Sequence, residues 1–283
     1  MKITVIGNGW VGKAMMKLFP DATVYSNRYY RSVEDGQECI LEYEKEQWEK
    51  EKIQLQKEAN KGDVAFICVP SPNKEFVPGK AVGEAELDTS IVEEVVAWCQ
   101  CPLLIMRSTV NPGTCDALSV KYKKRIVMQP EYLGETVSHP MTDQKARPFI
   151  IIGGKPEDTR KVIEVYQSVY NANTKIRQVT ALEAEVIKLT ENRAIAFKVA
   201  QCQELYDVCE KAGVDYYTIR EAVYGDDPRF NLWFTFVYPD KRGFKSKCIP
   251  KDVYAWCAWA ESYGYNPVIT RALLGRNRTW INP

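Results

Sequence analysis

The sequence predicts an α/β protein: a doubly wound, mostly parallel sheet at the N-terminal end, then an α-helical domain built around one long helix. Three observations predict this. The chain opens on an apolar strand, a glycine-rich turn and a helical run. Short apolar runs then recur, several of them ending in a polar turn. From Ala181 the pattern changes to a long helical stretch that reaches about Ala212.

The opening strand is Lys2 to Ile6, followed by Gly7-Asn8-Gly9-Trp10-Val11-Gly12 and a helical run from Lys13 to Phe19. In Gly-x-Gly-x-x-Gly the first glycine makes the tight turn. The second admits a pyrophosphate to the backbone, and the third lets helix and strand pack closely. The anion sits at the helix N-terminus, where unpaired N–H groups and the helix dipole favour it. The strand–turn–helix setting makes this a Rossmann-like dinucleotide site. We place that domain at residues 1–178 and a helical, dimerising and catalytic domain at 179–283.

The second strand, Ala22 to Tyr25, runs into Ser26-Asn27-Arg28. An NAD site usually has a carboxylate here for the ribose hydroxyls, whereas a 2′-phosphate needs a cation and polar donors. These residues slightly favour NADP(H) over NAD. The alternative is a solvated Arg28, with the ribose held by Ser26 or Asn27. Residues from about Glu34 to Lys61 are densely charged, and the Glu46–Lys50 spacing predicts an exposed helix without chemistry. Asp63 to Val69 is a buried parallel strand ending at Pro70-Ser71-Pro72, and Val69, Pro70 and Ser71 are placed at the cofactor. A loop from Pro72 to Glu86 leads to a helix over Ile91 to Trp98, capped by Asp88 or Thr89. Further strands are Leu103 to Met106, Arg125 to Met128, Pro148 to Gly154 and Lys175 to Val179. Polar turns follow two of them, at Arg107 to Thr114 and at Gln129 to Thr136, where Glu131 and Glu135 could face one ligand. A helix is expected over Thr159 to Tyr170.

In the long helix Lys188 and Asn192 are four apart and share a face. Phe197, Val199, Ala200, Leu205, Val208 and Cys209 suit a core or dimer spine. Asp215 to Val223, Val253 to Ser262 and Val268 to Leu274 read as further helices. Between them lies Gly243-Phe244-Lys245-Ser246-Lys247-Cys248-Ile249-Pro250-Lys251-Asp252. A thiol among lysines has its thiolate favoured, and the thiolate is the nucleophile.

Composition narrows the function classes. The chain has 283 residues, 45% of them apolar, which supports a sizeable core. Lys plus Arg is 38 and Asp plus Glu is 37, a net charge of +1, which offers nothing to nucleic acid or an anionic membrane. The N-terminus lacks the apolar run and cleavage site of a signal peptide. No run of about eighteen apolar residues occurs. Nine cysteines without an export signal point to reduced thiols and a cytoplasmic setting. Cys99 and Cys101 are too close for a usual zinc pair and no Cys-x-x-Cys occurs, so no metal is expected. The single histidine, His139, lies beside Pro140 and reads as a surface residue.

Taken together, the motifs resemble the UDP-glucose 6-dehydrogenase and GDP-mannose dehydrogenase family. The resemblance runs in order through Gly7 to Gly12, Ile67-Cys68-Val69-Pro70-Ser71-Pro72, Ser108-Thr109-Val110-Asn111-Pro112-Gly113-Thr114 and Pro130-Glu131-Tyr132-Leu133. It continues through Ala184-Glu185-Val186-Ile187-Lys188-Leu189-Thr190-Glu191-Asn192 and Cys248-Ile249-Pro250-Lys251-Asp252. It implies a four-electron oxidation of a primary alcohol, with two nicotinamide cofactors used in turn. Cys248 attacks the intermediate aldehyde, giving a thiohemiacetal and then a thioester. Lys188 and Asn192 face the developing oxyanion. Asp252 works with Thr109 on a water, and Glu135, or second to it Glu131, is the base of thioester hydrolysis. Lys251 and Thr109 lie beside the nicotinamide. Glu131, Tyr132 and Leu133 line the sugar pocket together with Phe244, and Arg229 reaches a neighbouring subunit's substrate. The expected assembly is a homodimer through the long helix.

Two departures qualify the resemblance. The family continues for about another domain that grips the substrate's nucleotide, so this chain is expected to be a short form or a truncated one. The family also has Gly-Phe-Gly-Gly where this chain reads Gly243-Phe244-Lys245-Ser246. Lys245 and Lys247 are therefore expected to contact an anionic substrate, unless they are solvated surface lysines. Two rival readings stand beside this one. A two-electron dehydrogenase of the 3-hydroxyacid type needs no cysteine, and a non-catalytic nucleotide-binding partner turns nothing over.

Overall fold

The computed structural model describes residues 1–74, 86–134, 139–143, 145 and 148–282. Glu135 and most of the loop expected from Pro72 to Glu86 lie outside them. Two compact units emerge, one of Met1–Pro72 with Asp88–Lys188, the other of Asn73–Leu87 with Leu189–Pro283. Among the described residues no helix is long and apolar enough to cross a membrane.

The first unit follows the predicted class. Its strands are β1 (Ile3–Ile6), β2 (Thr23–Ser26), β3 (Tyr29–Glu34), β4 (Gln37–Glu42), β5 (Val64–Ile67), β6 (Leu103–Met106), β7 (Ile126–Met128), β8 (Phe149–Gly153) and β9 (Lys175–Val179). Among the described residues they form a nine-stranded sheet in the order β4-β3-β2-β1-β5-β6-β7-β8-β9. The run from β2 through β1, β5 and β6 to β7 is parallel. From β1 the chain builds first toward β2 and then returns to add β5 on the other side. The carboxyl ends of β1 and β5 are therefore the topological switch point, where this fold class binds ligands.

Helices α1 (Trp10–Leu18), α2 (Lys45–Ala59), α3 (Ser90–Trp98), α4 (Thr114–Tyr122) and α5 (Pro156–Tyr166) cover the sheet. Because side chains alternate along a strand, β5 and β6 each feed two cores. Ala65, Ile67, Leu104 and Met106 pack with α2, α3 and α4. Phe66, Leu103 and Ile105 pack with Met15 and Leu18 of α1 and Val162, Val165 and Tyr166 of α5. Strands buried on both faces read as unbroken apolar runs, which is why β5 and β6 were legible.

Two elements were not anticipated. The charged stretch after β2 begins as an antiparallel hairpin of β3 and β4, and α2 starts only at Lys45. Its turn is Asp35-Gly36 with φ of 49° and 78°, a strong hairpin signal masked by the surrounding charge. Helix α4 follows the turn expected from Arg107 to Thr114 and had no element assigned to it. Only Cys115 and Leu118 of it are buried, and Val120 is 80% exposed, so it carries almost no apolar stripe.

Helix α6 (Ala181–Ala212) opens on a capping box. Glu183 accepts from the Thr180 N–H at 2.7 Å, and the Thr180 hydroxyl accepts from the Glu183 N–H at 3.2 Å. The division between the units falls inside α6, after Lys188. The second unit holds the rest of α6 with α7 (Tyr216–Arg220), a π-helical turn over Glu221–Asp226, α8 (Ile249–Ser262) and α9 (Val268–Ile281). One core joins Ala196 and Ala200 to Phe244, Val253, Cys257, Leu273, Leu274 and Trp280. A second joins Cys202, Tyr206 and Cys209 to Tyr216, Tyr224 and Val237.

Candidate active site

The glycine turn is shaped for a dinucleotide. Gly7 has φ of 107°, and a Cβ there would lie 2.3 Å from the Cys68 carbonyl oxygen. A Cβ on Gly12 would lie 1.9 Å from the Gly7 oxygen. At Gly9, by contrast, a Cβ would meet nothing within 4 Å, so backbone there is open to an approaching group. Gly9 heads α1 with no side chain capping it, which leaves first-turn N–H groups for an anion. Asn8 donates its N–H to the Ser26 hydroxyl at 3.2 Å, while its buried Oδ1 has no hydrogen-bond partner among the described residues. Open backbone, uncapped amides and an orphaned polar atom fit a bound dinucleotide. Arg28 and Asn27 are exposed beyond Ser26, and Arg28 takes a left-handed φ of 58° at the start of the hairpin.

The turns after β5 and β6 are tied together in the same unit. Arg107 and Ser108 donate their N–H groups to the Ile67 carbonyl at 2.9 and 3.1 Å, and the Ser108 hydroxyl donates to the Val69 carbonyl at 2.7 Å. This ties the end of β5 at Val69 to the turn that carries half-buried Thr109. Arg107 is 1% exposed, donates to the Gln129 carbonyl at 3.1 Å and pairs with Glu131 Oε2. Glu131 Oε1 accepts the N–H groups of Tyr132 and Leu133, both at 2.7 Å. Glu131 thus shapes the loop that carries Tyr132 and Leu133. The Lys188 ammonium lies over the Tyr132 ring at 5.3 Å. The pKa of His139 is lowered, chiefly by burial and also by the charge of Lys188.

The second unit gathers four of the expected residues. Asp252, fully buried in the first turn of α8, accepts from Asn192 Nδ2 at 2.5 Å and pairs with the Lys251 ammonium at 2.7 Å. Its N–H reaches the Cys248 carbonyl at 3.0 Å. Cys248 is the N-cap residue of α8 and is exposed. Negative charge is favoured at a helix head. Of the other cysteines only Cys39 is exposed. Burial pushes Cys68 up to about 12 and Cys257 to about 11, which keeps them as inert thiols.

The other predicted residues of this unit either have partners of their own or face solvent. Phe244 is in the core, its N–H donating to Asn277 Oδ1 at 2.8 Å and its carbonyl accepting from Nδ2 at 3.1 Å. Lys245 and Lys247 are exposed, and the Ser246 hydroxyl between them accepts the Ile249 N–H at 3.1 Å at the head of α8. The exposed Arg229 pairs with Asp227 at 2.6 Å. Among the described residues no group of three or more His, Cys, Asp and Glu side chains could hold a metal ion. Sequence reasoning gave no role to Arg107 or Glu185. Nothing in their spacing shows a partner about 24 or 70 residues away.

Residues 29–173 match the NAD binding domain of the UDP-glucose/GDP-mannose dehydrogenase family, and residues 182–279 match its central domain. The UDP-glucose 6-dehydrogenase of Rickettsia typhi is 25% identical over 98% of this chain and 67% of its own length. That of Haloferax volcanii is 23% identical over 98% and 69%. Among solved structures, a UDP-glucose dehydrogenase from Pyrobaculum islandicum superposes with a TM-score of 0.74 at 25% identity, covering 98% of this chain and 68% of that one. A GDP-mannose dehydrogenase from Pseudomonas aeruginosa shares the fold, with a TM-score of 0.60 at 23% identity over 99% and 69%. This chain spans about two thirds of the length of these relatives. With the switch-point cradle and both domain matches in place, the chain belongs to the UDP-glucose/GDP-mannose dehydrogenase family and is an NAD-dependent dehydrogenase acting on a CH–OH group.

Proposed function

We propose that this protein oxidises the primary alcohol of a nucleotide sugar to a uronate in two steps, with Cys248 as the nucleophile. The observation that carries the reading is the buried Asn192–Asp252–Lys251 cluster one helical turn from a thiol at the head of α8. A buried carboxylate with both oxygens engaged holds Asn192 and Lys251 in defined positions.

Bound at the glycine turn, the dinucleotide supplies the hydride acceptor for each oxidation. The thiolate of Cys248 adds to the aldehyde carbon, and the former carbonyl oxygen becomes the thiohemiacetal oxyanion. Lys188 and Asn192 stabilise that oxyanion as preorganised donors. Oxidation of the thiohemiacetal leaves a thioester on Cys248. Thr109 and Asp252 hold the water that cleaves it, and Glu135 takes the proton, with Glu131 second in that role. Glu131 is committed to Arg107 and two backbone amides, which supports Glu135 as the base. Glu131, Tyr132 and Leu133 line the sugar site with Phe244. Lys245 and Lys247 meet its anionic part. Lys251 and Thr109 border the nicotinamide. The exposed Arg28 extends the cofactor range to NADP(H).

The active form is a homodimer. Its support is the apolar surface of the second unit, where Phe230, Trp233 and Phe236 are 51%, 52% and 47% exposed and Val208 of α6 is 55% exposed. Arg229 borders that surface and serves the neighbour's substrate.

The test is a cofactor-reduction assay across nucleotide sugars, with NAD and NADP in parallel, on wild type and Cys248→Ser. Wild type is expected to reduce about two cofactors per substrate consumed, and the variant to form no acid. Full acid formation by Cys248→Ser overturns the reading. One equivalent per substrate favours the two-electron rival.

A further inference from the structure

Glu185 has no part in the chemistry above, yet it is 1% exposed and lies one helical turn before Lys188 on α6. Its carboxylate accepts the Gly113 N–H at 2.5 Å through Oε2 and the Cys115 N–H at 2.8 Å through Oε1. Both amides belong to the start of α4, where Gly113 takes a left-handed φ of 94°. The turn closes on itself, because Thr114 donates its N–H and its hydroxyl to the Asn111 carbonyl at 3.1 and 2.6 Å. That turn continues directly from Ser108 and Thr109. One carboxylate therefore joins the helix bearing Lys188 to the turn bearing Thr109, within a single unit.

We propose that Glu185 is a positioning residue: its ionised carboxylate clamps the turn between β6 and α4 onto α6 and holds Thr109 and Lys188 in register for the reaction. The roles of Thr109 and Lys188 rest on the function proposed above, whereas the clamp itself does not. The grip depends on charge. An ionised carboxylate accepts both N–H groups through separate oxygens, while a protonated one presents an O–H that opposes a donor. The titratable groups facing it among the described residues are on α4: the Cys115 thiol donates to it and the charge of Asp116 opposes its ionisation. Burial is the main effect and raises its pKa to about 7, so the carboxylate ionises in place across neutrality.

The experiment compares wild type with Glu185→Gln, which keeps the shape and loses the charge. One arm reads the hydrogen-exchange protection of the Gly113 and Cys115 amides at pH 6 and pH 8, corrected for intrinsic rates. Wild type is expected to be protected at both pH values, and the variant about tenfold less at both. Equal protection in the two proteins overturns the clamp. Weak protection of both amides in wild type alone does the same, so the test survives a variant that fails to fold. The second arm reads turnover. Glu185→Gln should lower kcat about 10- to 100-fold, leave the KM for NAD within about twofold, and remove an acid limb near pH 7. Unchanged kcat and an unchanged limb overturn the positioning role. If wild type reduces no cofactor on any nucleotide sugar, the proposed function falls, and the exchange arm alone decides the clamp.

Discussion

Asp252 has no exposed surface and spends both oxygens on neighbours, Asn192 on α6 and Lys251 on its own helix. The four-residue spacings Lys188–Asn192 and Cys248–Asp252 were legible because helical periodicity places such pairs on one face. Arg107 and Glu185 were not legible, since each acts through groups far along the chain. Lys245 and Lys247 remain solvent-facing, with Ser246 between them capping α8, so their side chains are available to a ligand. Replacing both by alanine is expected to raise the KM for the nucleotide sugar about 3- to 10-fold, the size of one or two exposed ion pairs, with kcat within about twofold. Steady-state kinetics check this, and an unchanged KM rejects their role at the anion.

At the scale of elements, the approach to α8 is set by a latch between Phe244 and Asn277 of α9. Gly243 makes the latch possible: it has φ of 70°, and a Cβ there would stand 2.6 Å from Asn277 Oδ1 and 2.9 Å from Ile281 Cγ2. Gly243→Ala is therefore expected to cost about 1–3 kcal/mol, read as a lowered urea midpoint with an unchanged slope. Arg242 adds a second tie, donating to Gln203 Oε1 at 2.5 Å and pairing with Asp207 of α6. The strands and α6 were predicted close to their observed bounds because burial imposes a clear period. The hairpin of β3 and β4 escaped because β4 is exposed at every residue and its composition reads as a solvated helix. Helix α4 escaped because its fixing contact, the carboxylate of Glu185 on its first turn, is supplied by another element.

At the scale of the molecule, burial of Glu185 couples stability to pH. Its folded pKa of about 7 lies above the ordinary value of 4.5. Below 4.5 both states hold the proton and this group costs nothing. Between 4.5 and 7 only the unfolded state ionises, so stability falls as pH rises. Above 7 the loss levels off at about 3 kcal/mol, from about 1.4 kcal/mol per pKa unit. Thermal melts from pH 4.5 to 8 should show this slope in wild type and a shallower one in Glu185→Gln; parallel slopes reject the assignment. The fold class, the glycine turn at its switch point, the family and the spacing of the thiol, carboxylate, lysine and amide were legible in the residues alone. Those features are local: periodicity, glycine conformation and short intervals along one helix carry them. Which charges are buried, and which groups satisfy them, is settled by the folded chain. Arg107 on Glu131, Glu185 on the amides of α4 and Asp252 between Asn192 and Lys251 are solutions to burying polar groups, and such partners are chosen by proximity in space, which no interval along the chain encodes.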